Sequence, residues 1–354
     1  MQDFHSETLS GPARAALVGA LRSGAAIPDL QARELAAVGW RLTEGALAAD
    51  AGLLFGVDVG GTKTQSVLTD LAGRVLAETK EPTVSAGGDA VLSQIRAQRD
   101  RLLAELGQPL PLLAAGIGLP GAVHPATGVI HRMPNVAGLA GRDLRALLAG
   151  DLGLPVAIEN DANLAALGEG WLGHGRGHET FVFVAMGTGI GMGSVVNGAL
   201  LRGAQGAAGE IAALPIGADP FDPATFAEGA LETAISSRAL LADYLRRGGA
   251  GGGSLRELFL AEAPDPAFEA TLERLAILLA QALLATVSVL DPSLVILGGS
   301  IGSRPEVLER TRHHLSRCLP EPPECRISSL GNRAGVIGAA RAAQGALIDR
   351  LSAG

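Results

Sequence analysis

The sequence has few aromatic and sulfur-containing side chains. Aromatic residues make up 3% of its 354 residues and apolar residues 47%, so a core must be built from Ala, Leu, Val and Ile. Two cysteines, Cys318 and Cys325, are too few for a disulfide framework and fit a reduced cytoplasmic setting. These scarcities exclude a small disulfide-rich secreted scaffold, and the length predicts two domains of ordinary size.

Basic segments and export signals are also lacking. The net charge is −8 and no stripe of basic residues occurs, which argues against nucleic acid as the main partner. The first residues, Met1 to Glu7, are acidic and lack a signal-peptide pattern. The longest apolar run, Leu275 to Leu290, contains Gln281 and is short for a bilayer, so it predicts a buried helix. We therefore expect a cytoplasmic protein without a membrane partner.

An apolar run from Leu53 to Val57 leads into the segment Asp58 to Lys63, which contains two glycines, a threonine and a lysine. The run predicts a buried strand, and the patterns at Gln65 to Thr69 and Val75 to Thr79 predict two more strands. Gly60 and Gly61 allow a tight turn whose backbone can come close to a ligand. Hairpins with this composition also occur without a ligand, so the segment alone leaves function open.

If this hairpin binds phosphate, its residues divide the work by chemistry. Asp58 at the strand end can hold Mg²⁺, directly or through water. Thr62, Lys63 and the N–H groups of the loop can contact a polyphosphate. Because a strand follows the glycines, this is a strand–turn–strand phosphate loop.

A second apolar strand, Thr180 to Ala185, runs into the glycine-rich segment Met186 to Gly193, and another strand follows. A dinucleotide-binding fingerprint requires a helix after its glycines, so we reject a Rossmann fold. The segment loosely repeats the first hairpin, which predicts a duplicated two-lobe fold with ATP phosphates between facing hairpins. Between them, the strand Val156 to Ile158 ends in Glu159-Asn160-Asp161, where Asp161 can also cap the following helix.

The first 51 residues predict an N-terminal helical extension, with helical patterns at Ala13 to Leu21, Leu30 to Ala37 and Leu42 to Ala49. This extension could be a helix-turn-helix module that binds DNA, but its arginines alternate with acidic residues. The alternative is a segment that packs on the rest of the chain or forms an oligomer contact. We assign residues 52–153 to an N-terminal lobe, residues 154–332 to a C-terminal lobe, and a closing helix at 333–350 to the first lobe.

Taken together, the motifs resemble the ROK family of sugar kinases and sugar-responsive repressors, over about Leu53 to Leu347. The motifs that carry the resemblance are Asp58–Lys63, Gly118–Gly121 with Thr127–Gly128, Glu159–Asn163, Gly187–Gly191, Gly206–Ile211, and Asp291–Pro292 before Gly298–Gly299. The resemblance implies an α/β, two-lobe actin-like/hexokinase (ribonuclease H-like) ATPase fold with an interlobe cleft.

The resemblance also implies roles for individual residues. Asp161 is expected to be the general base that takes a proton from a sugar hydroxyl. The expected sugar ligands are Asn135, Asn160, Glu210 and Glu232. The expected ATP-binding residues are Asp58, Gly60, Gly61, Thr62, Lys63, Gly187, Thr188, Gly189, Gly298 and Gly299, with Mg²⁺ at Asp58 through ATP. A site of carboxylates and amides suits a sugar, because sugar hydroxyls both donate and accept hydrogen bonds.

One departure from the family concerns zinc. Members usually have a His after Gly-Glu-Ile that touches the sugar and a structural zinc, and a cysteine cluster that completes the zinc site. Here Ala213 stands at the His position, and the segment Asp219 to Ala224 has no Cys. We therefore expect no structural zinc site.

The leading interpretation is an ATP-dependent kinase of a hexose or N-acetylhexosamine, similar to glucokinase, because the base and both phosphate loops are intact. The alternatives are a sugar-responsive transcriptional regulator and a non-catalytic sugar-binding protein. We expect a homodimer.

Overall fold

The computed structural model describes residues 9–125, 127–131, 138–139, 141–263 and 265–353. These residues form two compact units. The first comprises the chain up to Gly168, the segment Ala204–Gly206 and the chain from Gly335 onward. The second comprises Glu169–Gly203 and Ala207–Ala334. Each unit contains a five-stranded sheet, so the fold is α/β.

The described chain starts with two helices and a hairpin: α1 (Gly11–Ser23), α2 (Asp29–Ala37), β1 (Leu42–Thr43) and β2 (Ala46–Leu47). The Ser10 hydroxyl caps α1 by accepting a hydrogen bond from the Ala13 N–H. The helix predicted over Leu42 to Ala49 is wrong. Glu44 and Gly45 adopt left-handed φ values of 51° and 77°, which turn the chain back on itself as a hairpin.

The next elements build the sheet of the first unit. They are β3 (Leu53–Val59), β4 (Lys63–Thr69), β5 (Val75–Pro82), α3 (Gly88–Leu106), β6 (Leu112–Leu119), β7 (Ala122–Val123), β8 (Ile130–His131), α4 (Leu144–Leu152), β9 (Val156–Asn160) and α5 (Asp161–Leu172). The strand order is β5-β4-β3-β6-β9, with β3, β6 and β9 parallel and the β3-β4-β5 meander antiparallel. The apolar run of β3 is buried because parallel strands are covered on both faces.

The domain boundary that we predicted after residue 153 differs from the structure. Strand β9 pairs with β6 in parallel, with Val156 opposite Ala115, so it extends the sheet of the first unit. The boundary falls between Gly168 and Glu169, inside α5. Asp161 therefore belongs to the first unit, in contrast to our assignment to the C-terminal lobe.

The second unit contains β10 (Phe181–Met186), β11 (Ile190–Val196), β12 (Ala199–Leu200), α6 (Ala230–Ile235), α7 (Ser237–Arg246), α8 (Leu255–Leu260), α9 (Pro266–Leu290), β13 (Leu294–Gly298), α10 (Gly299–Gly302), α11 (Pro305–Cys318) and β14 (Glu324–Ile327). Its strand order is β12-β11-β10-β13-β14, with β10, β13 and β14 parallel. Short 3₁₀ helices occur in the two units at Ala49–Ala51, Ile211–Ala213, Pro223–Thr225 and Gly331–Arg333.

Helix α9 is the one helix in the described part of the chain with the length and composition of a membrane span. Its residues Leu275, Leu279 and Leu283 are buried in the core of the second unit. The predicted buried helix is thus present, and it packs against α11 and α7. Core helices of globular proteins have the same composition.

The last helix, α12 (Ala334–Ala353), returns to the first unit and packs on its sheet. Two strand glycines make this possible. A Cβ on Gly56 would lie 2.7 Å from the Val336 carbonyl oxygen, and one on Gly116 would lie 1.9 Å from the Ala339 carbonyl oxygen. The helix backbone therefore contacts the strand backbone directly, which any larger residue would prevent.

Candidate functional site

The carboxyl ends of β3, β6 and β9 meet at one edge of the first sheet. Asp58 on β3 lies opposite Gly118 on β6, and Leu119 on β6 lies opposite Asn160 on β9. Asp161 follows directly as the first residue of α5. Ligands of parallel α/β sheets bind at this edge. The structure thus brings Asp58 and Asp161, which we predicted from separate motifs, to one place.

The two carboxylates influence each other. The pKa of Asp58 is raised to about 7: burial is the largest cause, the negative charge of Asp161 adds to the rise, and the positive charge of Lys63 opposes it. Burial also raises the pKa of Asp161, against a hydrogen bond from the Ala162 N–H. Asp161 reaches solvent although protein atoms crowd around it. The protonation of either carboxylate therefore affects that of the other.

Two glycines leave room for the Asp58 carboxylate. A Cβ on Gly335, at the start of α12, would lie 2.7 Å from Asp58 Oδ2. A Cβ on Gly118 would lie 3.3 Å from Asp58 Oδ1. Gly335 was not among the predicted site residues, since its proximity to Asp58 depends on how α12 packs. A small residue is needed at both positions if this carboxylate is to accept a ligand.

The first predicted phosphate loop is a tight hairpin between β3 and β4, in which the Gly60 N–H donates to the Lys63 carbonyl over 2.9 Å. Thr83, just after β5, holds this loop. Its hydroxyl donates to the Gly60 carbonyl over 2.7 Å, and its N–H donates to the Thr62 carbonyl over 3.2 Å. Thr83 was not among the predicted site residues. Its position would have indicated its role, because it lies one residue beyond β5, which pairs along all of β4.

Asn160 is occupied as a helix cap. Its Oδ1 accepts from the N–H groups of Ala162, at 2.9 Å, and Asn163, at 3.3 Å, while its Nδ2 donates to the Gly121 carbonyl over 3.2 Å. Asp161 accepts from the Ala162 N–H through Oδ1 at 2.8 Å. Capping of α5 therefore does not depend on Asp161 alone, the cap that the sequence suggests, and the predicted sugar ligand Asn160 has a clear structural role.

The second unit brings its predicted ATP-binding residues together in the same way. Strands β10 and β13 are parallel, with Ala185 opposite Gly298, so the segments Gly187–Gly189 and Gly298–Gly299 follow neighbouring strand ends. A Cβ on Gly187 would lie 3.0 Å from the Ser300 hydroxyl oxygen. Gly299 needs its left-handed φ of 81°, and a Cβ there would lie 2.3 Å from the Met186 carbonyl oxygen. Thr188 is exposed.

Glu232, a predicted sugar ligand, contacts the glycine loop of its own unit. Its Oε2 accepts from the Ile190 N–H over 2.8 Å, and burial raises its pKa. A Cβ on Gly189 would lie 2.4 Å from this oxygen. The carboxylate thus supports the second loop from α6. Glu210, another predicted sugar ligand, is exposed before the helix Ile211–Ala213. Asn135 lies outside the described residues.

The segment after Ala213 is held by short-range hydrogen bonds. The Asp219 carboxylate accepts from the Phe221 N–H and the Asp222 carboxylate from the Ala224 N–H, each at 2.9 Å. The Thr225 hydroxyl bonds to the carbonyls of Asp219 and Asp222. Among the described residues, no group of three or more His, Cys, Asp or Glu side chains could hold a metal ion. The expected absence of a structural zinc site stays a prediction.

Comparisons with known proteins agree with one family. The sequence matches the ROK family over residues 54–346. A glucokinase of Halalkalibacterium halodurans is 31% identical over 80% of this chain and 92% of its own length. The structure of a ROK family glucokinase from Streptomyces griseus in complex with glucose and AMPPNP is 29% identical with a TM-score of 0.69, covering 83% of this chain and all of the other. The actin-like two-domain fold is thus confirmed.

A further solved structure extends over the N-terminal helices. It is a ROK family transcriptional regulator, a homologue of the E. coli MLC protein, with a TM-score of 0.78 and 23% identity. The match covers 98% of this chain and 98% of the regulator. At this identity the likeness concerns the fold, and it includes the extension that the glucokinase matches leave out.

Proposed function

The chain belongs to the ROK family, and from that membership we propose that it is an ATP-dependent sugar kinase. The reaction transfers the γ-phosphoryl group of ATP to a hydroxyl of a hexose or N-acetylhexosamine. The observation that carries the proposal is the meeting of Asp58 and Asp161 at the carboxyl edge of the first sheet. Phosphoryl transfer needs a positioned base and positive charges that align the phosphates. Asp161 is the proposed base, and Asp58 is the proposed holder of a Mg²⁺ ion.

In this proposal Asp161 accepts the proton of the attacking hydroxyl. Its raised pKa makes it a stronger base than an ordinary aspartate. The loop Gly60–Lys63 contacts the donor phosphates, with Lys63 as the cation. Asp58 fits Mg²⁺, since a carboxylate oxygen is the ligand that this ion prefers, and Mg²⁺ would neutralise phosphate charge.

The remaining proposed contacts come from other residues of the chain, most of them in the second unit. The loop Gly187–Gly189 meets the phosphates, and Gly298–Gly299 borders the adenosine. Glu210 and Asn135 bind sugar hydroxyls, and Glu232 contributes through the loop that it supports. The glucokinase names of relatives support a hexose. A homodimer in the cytoplasm, without membrane or nucleic-acid partner, stays a prediction, and light scattering after gel filtration tests the dimer.

The decisive experiment is a coupled ATP-consumption screen over hexoses, amino sugars and N-acetylated sugars. We expect turnover with at least one of them, and Asp161→Asn should lower kcat by about 10²- to 10⁴-fold with a much smaller change in KM for the sugar. Asp143→Asn is the matched control, because Asp143 also begins a helix of the first unit and Asn preserves its cap on the Ala146 N–H. Equal turnover of the Asp161 variant and the parent would remove Asp161 from the mechanism.

The second candidate function is a sugar-responsive transcriptional regulator. The observation that favours it is the regulator's match over the whole chain, including α1, α2 and the β1–β2 hairpin. The net charge of −8 speaks against it. A gel-shift assay with the DNA upstream of the protein's own gene distinguishes the two. Sugar-sensitive binding near ~10⁻⁸–10⁻¹¹ M, with no ATP turnover on any sugar, would favour the regulator over the kinase.

A further inference from the structure

The chain contains two lysines, Lys63 and Lys80, and all its other basic side chains apart from histidines are arginines. Lys63 begins β4, in the loop to which we assign phosphate binding, and Lys80 lies on the neighbouring strand β5. The only two primary-amine side chains thus occupy adjacent strands. Lys80 has no role in the site described so far.

Sheet register sets Lys80 on the same face as Asp58. Asp58 lies opposite Gln65, and Gln65 lies opposite Lys80, so the three form a row across β3, β4 and β5. Residues directly opposite each other point to the same face of a sheet. Lys63 precedes Gln65 by two residues and therefore shares that face. The side chain of Lys80 is a neighbour of Lys63 and lowers its pKa.

Two neighbouring ammonium groups form an unusual pair, because each is a donor without an acceptor. Burial lowers the pKa of Lys63, the charge of Lys80 lowers it further, and Asp58 opposes this. The acids on the same face are Asp58 on β3, Glu78, two residues before Lys80, and Glu159 on β9, which continues the row of Asp58 beyond Gly118. An anion with several adjacent charges would relieve the repulsion between the ammonium groups, and a chain of linked phosphates is such an anion.

We propose that Lys80 binds the phosphoanhydride chain of the phosphoryl donor together with Lys63. The inference rests on the kinase function proposed above and adds a residue to its donor site. A nucleoside triphosphate and an inorganic polyphosphate share this chemistry. Because β5 is the edge strand, the competing role for Lys80 is to prevent edge pairing, which needs no phosphate.

Lysine acylation tests the proposal without turnover. After treatment with an acetylating N-hydroxysuccinimide ester and cleavage at arginine, Lys63 falls in peptide 42–74 and Lys80 in peptide 75–96, so mass spectrometry reads each separately. At tripolyphosphate about twenty times above its Kd, about one site in twenty stays free, and labelling of both lysines should fall about twenty-fold. Protection by ATP but not tripolyphosphate supports the proposal and assigns a nucleotide donor.

Variants separate the pair from its neighbours. In Lys80→Gln, loss of the adjacent cation should move the pH midpoint of Lys63 acylation upward, so Lys63 is labelled more slowly at pH 8. In Lys80→Gln the KM for ATP should rise about three- to ten-fold. This is less than the loss of a buried charged hydrogen bond would cause, because Lys80 is exposed. Lys80→Arg keeps the positive charge and should retain most of the affinity for ATP. Arg101→Gln removes an equal charge paired with Glu81 and is the control without effect.

Two results would overturn the proposal: labelling of Lys80 at an unchanged rate under both phosphate ligands, or Lys80→Gln with the parent's Lys63 acylation profile. If no sugar supports ATP consumption, the kinase proposal fails, while the labelling of Lys63 and Lys80 still decides the phosphate site. The two failures are therefore distinguishable.

Discussion

The ionised carboxylate of Asp58 should destabilise the folded protein, and Asp58→Asn should relieve this cost. The pKa of Asp58 is about 7 in the folded protein and about 3.9 in an unfolded chain. Between these values the folded state binds more protons than the unfolded state, so stability falls as pH rises. The variant should therefore gain on the parent from about pH 4 upward and keep a constant advantage above pH 7.

The structure sets the size of this effect. Each pKa unit corresponds to about 1.4 kcal/mol, which gives an upper limit of about 4 kcal/mol at pH 8. Asp58 is partly accessible, so solvent screening reduces the limit, and we expect about 2 kcal/mol. For a unit of this size, that corresponds to an increase in Tm of about 4–8 °C.

Thermal unfolding of parent and Asp58→Asn at pH 5 to 8.5 measures the difference, with Asp143→Asn as the control for an Asp-to-Asn exchange outside the site. The advantage of Asp58→Asn should widen from pH 5 to 7, and the variant should lose ATP turnover. An advantage that is absent at pH 8, or equal at pH 5 and pH 8, would refute the reasoning about Asp58.

Four further predictions concern packing, metal content and sugar binding. Glu169 is fully buried and accepts from Ser328 Oγ (2.5 Å) and the Leu330 N–H (3.1 Å); Glu169→Ala should cost at least about 3 kcal/mol in denaturant unfolding, and a loss under 1 kcal/mol would contradict this. Gly116→Ala should cost about 1–3 kcal/mol or more by separating α12 from the sheet, and unchanged stability would contradict that packing. Metal analysis of the purified protein should find no stoichiometric zinc, and one tightly bound zinc per chain would contradict this. Ala213→His should lower the KM for glucose by about two- to a hundred-fold in the coupled assay, and an unchanged KM would contradict that.

Local signals in the sequence were sufficient to predict strands β3, β4 and β5 of the first sheet. The run before Asp58, the glycine turn and the alternation that follows are short-range features, and they predicted β3, β4 and β5 closely. The hairpin at Leu42–Leu47 was missed because helical spacing of apolar residues masked a turn with two left-handed residues, one of them Glu44. The pairing of β9 with β6 is long-range and leaves no local mark, so the boundary was misassigned.

The candidate site divides in the same way. Motif order predicted Asp58 and Asp161, because Asp58 lies near the carboxyl end of β3 and Asp161 directly follows β9, at the edge where ligands bind. The hydrogen-bond partners of Asn160 and Glu232 depend on tertiary contacts, namely a cap on α5 and an amide across 42 residues of chain. The sequence indicates which residues have functional groups suited to a site, whereas the structure shows which of those groups already form hydrogen bonds within the protein.

The packing of α12 on β3 and β6 through Gly56 and Gly116 has a consequence for biosynthesis. Strand β6 leaves the ribosome more than two hundred residues before α12, and the whole second unit is made in between. At about 5–20 residues per second, the nascent first sheet waits roughly ten to fifty seconds for its covering helix. During this interval the groove over its glycines is open, and chaperones that bind exposed apolar strands have their longest opportunity there. A premature stop codon near residue 333 would release a chain with a nearly complete second unit and an unfinished first one.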